Sequence, residues 1–169
     1  MIFIRPAREG DATLLAAIGL RAWANATSAI GVTEELRDNA RAAFGNFTHS
    51  SWLAITVAEA DGTIVGWAAR EHFDETITDF WIDPVYQRQG VGTALLVDIE
   101  RQIVARGYAA GRLESHAQND QAVSFFRKHG YSVSWFSMKY SEKLDRDVQS
   151  MGLRKQLVDI EIGGYGFGF

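Results

Sequence analysis

The stretch with the clearest chemical character is Gln87-Arg88-Gln89-Gly90-Val91-Gly92, which follows a proline stop at Pro84 and opens a helix with an apolar face. The first amides of a helix have no internal partners and carry the positive end of its dipole, so this arrangement suits an anion. Glycines at 90 and 92 let a phosphate approach the backbone closely. Thr93 adds a hydroxyl and Arg88 a positive charge. A dinucleotide fingerprint needs a third glycine three residues after the second, and Leu95 stands there. A phosphate loop ending in Gly-Lys-Ser/Thr is also missing from the sequence.

The elements that must hold this loop can be read from hydrophobic period and turn residues. Strands are expected over Ile2–Arg5, Trp52–Ala58, Thr63–Arg70, Thr76–Ile82, Gly111–His116 and Tyr131–Tyr140. Asp61-Gly62 is the strongest hairpin signal. Helices are expected from Asp11 to Asn25, from Thr33 to Phe44, from the glycine loop to Arg106, and from Asn119 to His129. Arg5 to Asp11 alternates charges and reads as a solvated turn. An antiparallel hairpin followed by strand–helix–strand–helix–strand predicts a mixed α/β sheet, neither a bundle nor a sandwich.

Composition narrows the classes further. The 169 residues suit one compact domain, and 47% apolar with 22% charged residues is an ordinary globular balance. The net charge is −4 and no basic stripe is visible, so nucleic acid is not an expected partner. No apolar run approaches the roughly 18–20 residues that span a bilayer, so no membrane partner is expected. The N-terminal segment reads as a short strand rather than a secretion signal, and the expected location is the cytoplasm. There is no cysteine, which excludes disulfides, thiolate metal sites and a cysteine nucleophile. His49 and His72 have no partner spacing, so neither is read as a metal ligand.

The glycine loop matches the Gln/Arg-x-x-Gly-x-Gly/Ala motif of the GNAT N-acetyltransferases, and Phe80-Trp81-Ile82-Asp83-Pro84-Val85-Tyr86 resembles the strand and turn before it. Asn119, Ala122, Phe125, Phe126, Lys128, Gly130 and Tyr131 resemble the family's second signature, about 27 residues downstream. The resemblance covers roughly residues 1–140. It implies a mixed, mostly antiparallel central sheet flanked by helices, with residues 141–169 as a C-terminal extension. It also implies acetyl-CoA as co-substrate and a primary amine of a small molecule or peptide as acceptor. Amides of Gln89 through Thr93, with Gln87 and Arg88 beside them, would cradle the CoA pyrophosphate. Backbone groups of Trp81, Ile82 and Asp83 would pair with the pantetheine arm in a gap opened by a bulge, next to the strand at Gly111–His116. Asn119 and Phe126 would border the arm from the following helix.

Direct attack on the thioester needs a neutral amine, a donor for the carbonyl oxygen, and a proton for the departing thiolate. By resemblance the Ile82 amide is the oxyanion donor. Glu75, Asp79 and Asp83 are the carboxylates of the strand, and Asp79 is the preferred acceptor of the amine's proton. Many family members place a glutamate where Thr76 stands, so Glu75 is displaced by one residue. Phe126 replaces the tyrosine that often protonates the sulfur. His116 is the candidate for that proton transfer. Both departures keep open a competing reading, a non-catalytic acyl-CoA-binding module. Trp23, Phe44 and Trp67 are candidates for an aromatic acceptor wall. In the tail, a helix is expected over Leu144–Gln156 and a last strand over Val158–Ile162. That strand would add to the sheet within the chain or in a partner subunit, which makes a homodimer one expectation.

Overall fold

The computed structural model describes residues 1–159. Strand β1 (Ile2–Pro6) leads through a short helical turn into helices α1 (Ala12–Ala26) and α2 (Glu34–Ser50). Thr33 caps α2 as expected, its hydroxyl accepting the Leu36 amide at 3.2 Å. Strands β2 (Ile55–Ala60) and β3 (Thr63–Ala69) form the hairpin whose turn is Asp61-Gly62. Both turn residues have positive φ, 51° and 84°, the geometry that matches the twist of the flanking strands.

The strand expected over Thr76–Ile82 is broken in two, β4 (Thr76–Ile77) and β5 (Asp79–Ile82). The break sits at Thr78, whose hydroxyl donates to the Ala69 carbonyl at 3.1 Å and accepts the Glu71 amide at 3.0 Å. The two pieces join different sheets. β5 pairs antiparallel with β3 in the order β1-β2-β3-β5, and β4 pairs parallel with β6 (Ala110–His116). Helix α3 (Val91–Ala105) runs between them in sequence, and α4 (Asp120–Lys128) follows β6.

The tail departs from expectation. Leu144–Gln156 is not a helix: β7 (Ser132–Ser141) turns at Glu142–Asp145 into β8 (Arg146–Gln156). The second sheet runs β4-β6-β8-β7, so β8 is an interior strand, antiparallel to both β6 and β7. Its residues from Ser150 to Leu153 are buried in succession, as a strand covered on both faces requires. Gly152 would be costly inside a helix; here a side chain at that position would collide with the Trp135 indole across the strand pair. β8 therefore takes the place expected for Val158–Ile162. Val158 donates its amide to the Ala109 carbonyl just past β8, and Ile160 and Ile162 lie outside the described residues.

Two buried clusters lie on either side of the sheets. Leu95, Leu96, Ile99 and Ile103 of α3 pack with Leu113, Phe126, Met151 and Leu153. Leu15, Ile18 and Trp23 of α1 and Phe44 of α2 pack with Val57, Trp67 and Leu144. Phe44 and Trp67 are therefore core residues, 2% and 0% exposed, and not a pocket wall. Arg5 is likewise buried, bound to Glu59 at 2.6 Å and Asp11 at 2.9 Å, while Arg8, Glu9 and Gly10 between them are exposed as a solvated turn requires.

Leu144 anchors the β7–β8 turn in the second cluster at 2% exposure. Leu144→Ala is expected to lower unfolding free energy by about 2–4 kcal/mol in a urea titration; a loss below about 0.5 kcal/mol would show that the turn is not pinned by this side chain.

Candidate active site

Parting β4 from β5 opens a wedge on the side away from β3. Backbone direction follows from register. The Asp83 amide donates to the Val65 carbonyl at 2.8 Å, and Trp81 stands opposite Trp67. Backbone groups alternate sides along a strand, so Trp81 directs its amide and carbonyl at β3, as the Asp83 amide does, while Phe80 and Ile82 turn theirs into the wedge; the Asp83 carbonyl accepts the Tyr86 amide at 2.8 Å. The expectation that Trp81 and Asp83 offer backbone groups to a ligand arm is corrected by this register. Ile82 faces the wedge, as its expected role would need, and so does Phe80, which sequence analysis did not single out as a backbone partner. Asp83 instead caps the turn at Pro84–Tyr86 through the Val85 amide, and its buried carboxylate accepts from Arg21 of α1 at 2.7 Å.

Below the wedge, Arg88 and Gly90 take positive φ, 62° and 84°, and bring the chain into α3. The first helical bond of α3 runs from the Ala94 amide to the Gly90 carbonyl, which leaves the amides of Val91, Gly92 and Thr93 pointing out of the helix start. A Cβ at Gly92 would sit 3.0 Å from the Phe125 ring, so the glycine lets α4 lie against the loop. Gln121 of α4 donates to the Gln87 side chain at 2.9 Å across the opening. The resulting cleft measures about 860 Å³ and is lined by Trp81, Ile82, Gln87, Arg88, Gly90, Gly92, Thr93, Asn119 and Phe126 among others. Val91 contributes its amide only, because its side chain is buried. Gln89 is exposed and its side chain does not line the cleft. His129 and Lys128, not singled out from sequence, do. His129 accepts or donates at 3.0 Å with the Thr93 hydroxyl.

A second cavity of about 420 Å³ adjoins the cleft. The two share Phe80, Trp81, Asn119 and Phe126. Asp79 and His116 both line this cavity, so the structure brings together the two titratable candidates. Asp79 accepts from the Trp81 indole at 3.0 Å. Burial pushes its carboxyl up to about 6, against the opposing pull of that indole and of Lys143. His116 is held toward its neutral form, first by burial and then by Lys143. Its Nδ1 is buried with no hydrogen-bond partner among the described residues, so protonation there would strand an N–H. That environment opposes a role as proton donor. Phe126 is 4% exposed and locked edge-on against Phe80, Phe125 and Tyr131. The Tyr131 hydroxyl is committed to Glu100 at 2.9 Å and raised far above its ordinary range by burial, so it does not substitute for the missing tyrosine. Asn119 caps α4 through the Ala122 amide at 3.3 Å. Glu75 points to β6 and pairs with Arg112, away from the cavity.

The split sheet with a cleft beside a helix start is an architecture this chain shares with known proteins. The model of the acetyltransferase (GNAT) family matches residues 18–131, and the chain belongs to that family. A ribosomal protein bS18 alanine N-acetyltransferase of Escherichia coli is 32% identical over 72 residues, 43% of this chain and 49% of the relative. The chain thus matches about half the length of its curated relatives. A GCN5-related N-acetyltransferase from Rhodopseudomonas palustris superposes with TM-score 0.75 at 24% identity, over 91% of this chain and 94% of that one. The PaiA N-acetyltransferase from Thermoplasma acidophilum, solved in complex with coenzyme A, gives 0.70 at 22% identity over 92% and 99%. Among the described residues no helix is long and apolar enough to cross a membrane, and no group of side chains could hold a metal ion.

Two outcomes follow. Gly92→Glu places bulk against Phe125 and negative charge beside the loop amides, and is expected to weaken acetyl-CoA binding at least about tenfold by calorimetry. Asp79→Asn should act on stability with a definite sign. The folded carboxyl titrates near 6, above its ordinary 3.8, so folding favours the neutral acid and stability falls as pH rises through that window. The asparagine variant should melt with the wild type at pH 3.5 and above it at pH 8, by roughly 1–2 kcal/mol; equal melting at both values would remove the buried-acid account.

Proposed function

We propose that this chain transfers an acetyl group from acetyl-CoA to a primary amine of a small molecule or peptide by direct attack. Acetyl-CoA supplies the activated acyl carbon and a thiolate leaving group. The fit is supported by the out-turned amides of Val91, Gly92 and Thr93, by the cleft beside them, and by Phe80 and Ile82 facing the wedge. The single observation that carries the catalytic reading is Asp79 on the wall of the cavity that adjoins the cleft, a half-buried carboxyl with one oxygen on Trp81 and a pKa pushed up to about 6. Such a group is ionised at pH 7–8 and close enough to neutrality to exchange protons efficiently.

In this reading Asp79 binds the acceptor's ammonium and takes a proton from nitrogen, directly or through one water. The amine forms the new N–C bond, the Ile82 amide supports the carbonyl oxygen as charge gathers on it, and the C–S bond breaks while the nitrogen's second proton passes to solvent. Solvent protonates the thiolate, since Phe126 has no proton to give and His116 is held neutral with a stranded Nδ1. His116 then serves as a wall residue. The acceptor is a small-molecule or peptide amine, with a protein amine as the next choice by likeness to the bS18 enzyme. A non-catalytic acyl-CoA-binding module is favoured by one observation, the sealed phenylalanine at position 126.

Release of free thiol from acetyl-CoA against an amine panel tests the proposal. Turnover with one amine class is expected, with kcat/KM falling about tenfold per pH unit below 6 as Asp79 protonates. Asp79→Asn should lower it at least about a hundredfold without weakening acetyl-CoA binding. Tight binding with a silent panel would support the module instead.

A further inference from the structure

The β7–β8 turn does more than connect two strands. Leu144 is inserted among the aromatic residues of α1 and α2, and the neighbouring side chain, Lys143, is carried over the Phe44 ring, its ammonium 5.1 Å from the centroid. The turn is held rigid by two further bonds. Ser141 accepts the Leu144 amide at 3.3 Å, and the Tyr140 hydroxyl donates to Asp145 at 2.5 Å. Lys143 is a half-buried cation on the wall of the 420 Å³ cavity that also holds Asp79.

The charges around that cavity fall into three groups. Glu114 is taken by Lys139 at 3.2 Å, and Lys139 also stacks on Trp135. Asp79 and Glu142 are the remaining acids, the first half-buried and the second exposed. Lys143 has no carboxylate within ion-pair distance among the described residues, yet its field acts on both Asp79 and His116. Trp23, which lines the same cavity, has a buried indole N–H without an acceptor. An aromatic face stabilises an ammonium but accepts from few of its three N–H groups.

A polyamine would bring its second positive charge toward Lys143, at a cost in like-charge repulsion. An amine that carries an anionic group would meet Asp79 at one end and Lys143 at the other. We infer that the acceptor is an amino carboxylate, an amine bearing a carboxylate that Lys143 reads. The inference rests on the acetyl-transfer reading above and makes Lys143 a specificity-determining residue.

The experiment compares kcat/KM for glycine, β-alanine, 4-aminobutyrate and glutamate with the corresponding amides and with diamines of equal length. It is run on the wild type and on Lys143→Arg, Lys143→Gln and Lys143→Glu, each first matched to wild type in melting temperature and acetyl-CoA affinity. The wild type should prefer at least one carboxylate over its amide by about tenfold or more. Lys143→Arg should keep that preference, Lys143→Gln should reduce it to within about twofold, and Lys143→Glu should turn it toward the diamines. Amides or diamines used as well as carboxylates by the wild type, or a preference untouched by Lys143→Gln, overturns the inference while leaving acetyl transfer intact. Acetyl-CoA binding with no turnover of any amine overturns acetyl transfer itself, and the acceptor assignment with it.

Discussion

One hydroxyl group decides where this chain can bind anything. Thr78 donates to the Ala69 carbonyl and accepts the Glu71 amide, and in doing so holds the strand open between Ile77 and Asp79. Without that break β4 and β5 would continue as one strand with partners on both sides. With it, the halves enter two sheets, and Phe80 and Ile82 are left with backbone groups that no strand among the described residues satisfies from the wedge side. Unpaired edge groups are a liability on a surface. Here they face a cleft beside a helix start with three out-turned amides, so under the proposed function the same defect would serve as a ladder for an extended ligand ending in phosphates.

The break also fixes the electrostatics. Asp79 is the first residue after it, on the wall of the cavity that adjoins the cleft. Burial raises its carboxyl, and the Trp81 indole and Lys143 pull it back, so its ionisation is poised by opposing effects rather than by one strong partner. The same burial keeps His116 neutral. Two titratable groups across one small cavity are thereby assigned opposite habits: the acid can shed its proton near neutrality, and the imidazole resists gaining one.

The glycine loop, the helix caps and the Asp61-Gly62 hairpin were legible because each rests on a local backbone rule that residue type alone expresses. The mixed sheet was legible from the order of periods. What could not be read was set by tertiary partners. Leu144–Gln156 carries enough helix-forming residues to suggest a helix, but two neighbouring strands claim its backbone, and Gly152 was the discordant residue that signalled it. The direction of the backbone groups at Trp81 and Asp83 depends on the register with β3, which no single strand reveals. The commitment of Tyr131 to Glu100 and the stranded Nδ1 of His116 are likewise products of packing. Lys143 escaped notice because its neighbours in sequence say nothing of Phe44, about a hundred residues earlier.

The strand order β4-β6-β8-β7 carries a consequence for how the molecule is made. On a ribosome, β6 emerges with β4 already beside it, but its other edge waits for a strand that is synthesised after β7. The hairpin must therefore enter as a unit, its later arm inward, and one wall of the wedge has no permanent form until Gln156 clears the exit tunnel. A nascent chain halted before that point would hold a finished glycine loop and an unfinished cavity, and would present the bare edge of β6 to whatever chaperone stands nearby.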